Sequence, residues 1–106
     1  MKVDFSKEIL SFEGKAMLTD ENKPVTLGLV AINALVPNVD EGRISGLEQV
    51  RRAELAEKIY QSKEPIEIPD ADRELLKNLI HLAYQKNNLI VYRAYPLLDG
   101  QKKSEN

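Results

Sequence analysis

The rhythm of apolar and polar positions changes along this chain, and each change predicts a different element. From Val3 to Leu18, short apolar clusters alternate with turn residues. In "ILSFEGKAML" the pair Glu13-Gly14 separates two β-compatible runs, which suits a tight hairpin because glycine accepts positive φ. Strands are expected from Ile9 to Phe12 and from Lys15 to Leu18, with Val3 to Phe5 as a possible third. "TDENKP" then reads as a polar turn. No internal repeat or low-complexity tract stands out.

The next stretch, "TLGLVAINALVPN", has almost no wet side. Thr26 can cap a helix that Pro37 and Asn38 stop. At 100° per residue Leu27, Leu29, Val30, Ile32, Leu35 and Val36 spread round the whole wheel, with Gly28 and Asn33 as the only breaks. Such a helix must be covered on most sides.

Two amphipathic helices follow. In "SGLEQVRRAELAEKIYQS" the spacing of Ser45 and Glu48 is that of a capping box, in which each side chain satisfies a backbone N–H at the other's position. A helix is expected from Gly46 to Gln61, with Ala53, Leu55, Ala56, Ile59 and Tyr60 on its apolar arc. "EPIEIPD" is a short extended stretch between prolines. Asp70 is then expected to cap "ADRELLKNLIHLAYQK", whose apolar half is Leu75, Leu76, Leu79, Ile80, Leu82 and Ala83. Its polar half is Arg73, Glu74, Lys77, Asn78 and His81.

"LIVYRAYPLLDG" is ambiguous. Asn88 can cap a short last helix that Pro96 ends or bends, whereas the β propensity of "LIVY" favours a strand. The sum is an α+β fold: an N-terminal β-hairpin packed on three to four helices, forming a single domain over residues 1–100, with 101–106 as a flexible polar tail.

Composition narrows the function. The 106 residues suit one domain, and 42% hydrophobic with 30% charged residues supports one core and a well-solvated surface. The net charge of -2, with both signs interleaved, disfavours sequence-independent nucleic-acid binding. The absence of cysteine removes disulfides, thiolate zinc sites and cysteine nucleophiles. "MKVDFSKEIL" is unlike a signal peptide, and no apolar run approaches a membrane span, so a cytoplasmic location is expected and membrane association is not.

Candidate chemistry is sparse. His81 is the only histidine and has no carboxylate or second imidazole at helical spacing. The acidic pairs Asp40-Glu41 and Asp70-Asp72 do not form an EF-hand loop and are accounted for by loop solvation and helix capping. No phosphate-binding glycine motif and no nucleophile elbow occurs. No catalytic residue, metal site or cofactor is therefore expected, and a non-enzymatic protein is.

Binding candidates are easier to name. Arg52 falls inside the apolar arc with Glu48 one turn before it, either as a semi-buried pair or as an anchor for a partner. Tyr92 and Tyr95 with Arg93 between them could form a platform for single-stranded nucleic acid, a core edge or a protein interface. Leu29 and Val36 mark the edge of the apolar helix expected to contribute to self-association. These residues predict a protein partner and a homo-oligomer. The alternative is a single-stranded nucleic-acid binder in which Arg51, Arg52, Lys58, Tyr92 and Arg93 converge on one face.

The order of motifs also resembles a family of small proteins encoded by bacteriophages and prophages. The resemblance rests on "KVDFSKEIL" with "FEGK", on "TLGLVAINAL", on "RRAELAEKI", and on "PIEIPDADRELLKNLI" with "YRAYPLLDG". It implies a phage accessory protein, working in particle assembly or on a host factor, and supplies a setting rather than an activity. The chain departs from that pattern in "YQKNNLIVYRAYP", which lacks a Gly or Pro near the start of the last helix and carries Pro96.

Overall fold

A computed structural model describes residues 2–39 and 42–99. The expected tail and the acidic pair Asp40-Glu41 lie outside the described residues. The elements are β1 (Lys2–Val3), α1 (Leu27–Leu35), α2 (Gly46–Gln61), β2 (Ile66–Glu67), α3 (Asp70–Ala83) and α4 (Asn88–Leu98). The class is α+β, as the pattern predicts.

The first strand does not join the hairpin. It pairs antiparallel with β2, Lys2 opposite Glu67 and Val3 opposite Ile66, so the chain start is fastened to the extended stretch between the two prolines. Val3 and Ile68 are fully buried there.

The segment from Lys7 to Val30 corrects the expectation that the chain has no repeat. Aligned in steps of eight, "KEILSFEG", "KAMLTDEN" and "KPVTLGLV" place Lys7, Lys15 and Lys23 together, and likewise Ile9, Met17 and Val25. Backbone hydrogen bonds follow that alignment and close on themselves. Met17 N donates to Ile9 O (2.9 Å), Val25 N to Met17 O (2.7 Å) and Ile9 N to Val25 O (2.8 Å). A second ring repeats the pattern: Ser11 N to Lys15 O, Thr19 N to Lys23 O and Leu27 N to Lys7 O, at 2.7–2.8 Å. Bridges Leu10 to Ala16, Leu18 to Pro24 and Glu8 to Thr26 complete the threefold arrangement.

The turns repeat too. Gly14 and Asn22 occupy the same position and both have positive φ, 84° and 64°, a conformation that glycine and asparagine tolerate best. Before each turn a hydroxyl gathers two backbone donors: Ser11 Oγ takes Glu13 N and Lys15 N, and Thr19 Oγ1 takes Glu21 N and Lys23 N. The expected hairpin is thus the first of three edges. The repeat is faint in the sequence because only its lysines are identical in all three units, and the rest is shared backbone geometry and side-chain class.

The third unit runs directly into α1. Thr26 Oγ1 accepts Leu29 N (3.1 Å), the expected cap. Gly28 N donates to Phe5 O (2.9 Å), and a Cβ on Gly28 would stand 3.1 Å from that oxygen, so this close approach favours glycine. Leu27, Val30, Ala31, Ala34 and Leu35 are buried between α2 and α3, both of which pack on α1.

α2 has the expected bounds, and Ser45 Oγ accepts Glu48 N (3.0 Å). The capping box is only half made, because the Glu48 carboxylate turns to Arg51 and Arg52 instead. At α3 the expected cap fails: Pro69 is the N-cap, with no side-chain hydrogen bond. Asp70 is the first helical residue, and its carboxylate accepts from Arg73 (2.6 Å). That placement still puts negative charge at the positive end of the helix dipole.

The ambiguous last segment is helical. Asn87, one residue before the expected cap, accepts Ile90 N through Oδ1 (3.2 Å). Pro96 lies inside α4, in its final turn, and the helix continues to Leu98. The N–H that Pro96 lacks would have reached Tyr92 O, and both residues are exposed, so the unmatched carbonyl falls on the wet side. Packing decides for helix over strand: Ile90, Ala94 and Leu98, four apart, enter the core and α4 lies along α3.

Candidate interaction surface

The apolar helix has a dry side and a bare side. With Leu27, Val30, Ala31 and Ala34 turned inward, Leu29, Asn33 and Val36 face outward and Ile32 is half-buried. Leu29 is 36% exposed and Val36 69%. No charged residue occurs from Val25 to Val39.

α2 borders this face on one side. The two helices run antiparallel, since Gly28 at the start of α1 meets Ile59 near the end of α2, while Leu35 and Val36 share a small cleft with Gln49, Arg52 and Ala53. Between them, at the Gly28 end, lies an open cleft of about 330 Å3 lined by Phe5, Gly28, Leu29, Ile32, Ile59 and Tyr60 among others. Tyr60 stands at its edge, 80% exposed. On the other side Asn33 Nδ2 donates to the hydroxyl of Tyr84 at the end of α3 (3.3 Å).

Arg52 takes the structural reading. It is buried, and its Nε donates to Glu48 Oε2 (3.0 Å). Arg51 joins the same carboxylate and reaches across to Asp72 of α3 (2.6 Å), tying the starts of the two amphipathic helices together. The Arg52 guanidinium, with Arg51 adding to it, holds the Glu48 carboxyl below its ordinary value against the opposing cost of desolvation.

Arg93 and Tyr95 also work inside the chain. Arg93 Nε donates to Leu10 O (3.0 Å) and its Nη2 to Ser11 O (2.9 Å), so α4 grips the first turn of the threefold segment. The Tyr95 hydroxyl donates to Lys77 O (3.1 Å), and Lys77 Nζ lies 5.6 Å from its ring centroid. Tyr92 points outward and is 63% exposed.

The basic residues of the nucleic-acid alternative have separate partners. Arg51 and Arg52 are tied to Glu48 and Asp72, Lys58 Nζ donates to Glu67 O (3.2 Å), and Arg93 holds the turn. Tyr60, expected on the apolar arc of α2, is instead turned into water. Sequence reading missed Phe12, an aromatic at a turn whose 80% exposure only the fold reveals.

His81 is exposed on α3. Among the described residues no group of three His, Cys, Asp or Glu side chains is placed to hold a metal ion, and no helix is long and apolar enough to cross a membrane. Comparison with protein-family models, curated proteins and solved structures finds no match.

Proposed function

We propose that this protein acts by binding protein rather than by catalysis, through the outward face of α1 and the border of α2, and that it uses this face first for self-association. The carrying observation is the exposure of Leu29, Val36 and Tyr60 along a surface whose central helix has no charge. Fully burying one exposed large side chain is worth about 1.5–3 kcal/mol, so covering Val36 and Tyr60, with a smaller share from the already half-covered Leu29, favours association. An uncharged helix face also meets its own copy without like-charge repulsion, which suits a two-fold contact. The resemblance of the motif order to small phage proteins supplies the setting: an accessory protein of a phage or prophage, acting in particle assembly or on a host protein.

Size-exclusion chromatography with light scattering across a concentration series tests the reading. The wild-type chain is expected to form a dimer or larger species. The double variant Leu29→Glu, Val36→Glu is expected to be a folded monomer, since both positions are on the surface. A wild-type monomer at every concentration would remove self-association and turn the search to a host protein by pull-down.

A further inference from the structure

A second surface lies where α4 meets the first turn of the threefold segment, and it has a different chemistry. The Arg93 guanidinium stands between two exposed rings, 5.9 Å from the centroid of Phe12 and 5.4 Å from that of Tyr92. Its Nε and Nη2 are fixed by Leu10 O and Ser11 O, so the fork is held in one orientation. No carboxylate among the described residues pairs with it. Arg51, Arg52 and Arg73, by contrast, are each paired to a carboxylate.

Beside the guanidinium opens a cleft of about 280 Å3, lined by Glu8, Leu10, Tyr92, Arg93, Pro96 and Leu97. A half-buried cation answered only by carbonyls, two exposed aromatic rings and an apolar cleft together form a rigid anchor point. Arginine and aromatic residues in such settings dominate binding energy at protein interfaces.

We propose that this surface binds a peptide segment that presents an aliphatic side chain next to a carboxylate. The carboxylate meets the free edge of Arg93, and the aliphatic group enters the cleft against Leu10, Tyr92 and Leu97. Glu8 on the rim accepts backbone N–H groups of the segment. A peptide is preferred to a nucleic-acid strand because a strand carries one negative charge per nucleotide, and Arg93 is the one cation among the residues that line this cleft. This site does not involve Leu29, Val36 or Tyr60, so it stands or falls apart from the self-association reading.

The test is an NMR titration of the full chain with the dipeptide acetyl-Leu-Asp-amide, followed at the Arg93 Nε–H and at the backbone amides of Phe12 and Tyr92. Saturable shifts are expected, with acetyl-Leu-Asn-amide about tenfold weaker because the charge-assisted bond is lost. Tyr92→Ala and Phe12→Ala truncate exposed rings and should leave fold and oligomeric state unchanged while weakening binding. The proposal is overturned if the two peptides bind equally, if no shift saturates, or if the two variants bind as the wild type does. It is also overturned if oligothymidylate moves the same resonances at lower concentration, which would assign the surface to single-stranded nucleic acid.

Discussion

α1 and α3 lie side by side, and each departs from its own hydrophobic pattern in the opposite direction. α3 has a clean wheel, yet part of its polar half is covered. Arg73 and Lys77 are largely buried beneath the end of α4, where Arg73 pairs with Asp70 and both share Asp99, Lys77 at 2.6 Å. α1 is apolar nearly all round, yet Leu29 and Val36 stay in water. The pattern tells which face can be buried at little cost. Whether a neighbour arrives to bury it depends on where the remaining elements go.

The sharpest way to break this comparison is truncation of the face that α3 does bury. Leu79→Ala should lower stability by about 2–5 kcal/mol, because Leu79 is buried against the core and leaves a cavity. Val36→Ala, on the open face of α1, should cost far less in the monomer. Denaturant titration of both variants checks the contrast, and equal losses would mean that α1 has no free face.

A smaller effect is expected at the dry side of α1. Gly28→Val should cost about 1–3 kcal/mol, since even its Cβ would press on Phe5 O and its further methyls on Phe5 and Ile59. A thermal melt that leaves Gly28→Val unchanged would show that the chain start is not tightly docked on α1.

The ion pairs between α2 and α3 give a pH signature. The Glu48 carboxyl sits below its ordinary value of 4.5 in the folded chain, so its contribution is complete above that value and is lost as pH falls toward the folded one. Glu48→Gln should therefore destabilise the chain near neutral pH and make its melting temperature less sensitive to acid. Melts from neutral pH down through 4.5 would show two parallel curves if Glu48 were not involved. The smallest effect belongs to His81→Ala, within about 0.5 kcal/mol, because the side chain is exposed. A larger loss would place His81 in contact with something the outward register of α3 does not predict.

Much of the fold is legible in the residues, for local reasons. Thr26 and Ser45 cap because a short hydroxyl beside a helix start can reach a free N–H whatever lies elsewhere. Gly14 turns because no side chain opposes positive φ. Errors arise where two local solutions compete. Asp70 could cap α3 or pair with Arg73, and Glu48 could complete a box or hold two arginines; in both cases the guanidinium prevails, with Arg52 buried and Arg73 largely so. The six interaction candidates divide the same way: Leu29, Val36 and Tyr92 remain outside, while Arg52, Arg93 and Tyr95 are drawn into internal contacts.

By itself the sequence determined the α+β class, the positions of the first three helices, the caps Thr26 and Ser45 and the lack of a recognisable catalytic motif, because these follow from propensity, periodicity and residue chemistry over a few positions. Only the tertiary structure decided that the hairpin is one edge of a threefold segment, that the first strand pairs with residues more than sixty positions away, and that the last segment is a helix with proline in its final turn. It also decided which apolar residues are left without a cover. Those outcomes depend on which surfaces meet across the fold, and a hydrophobic side chain carries no label of the neighbour that will bury it.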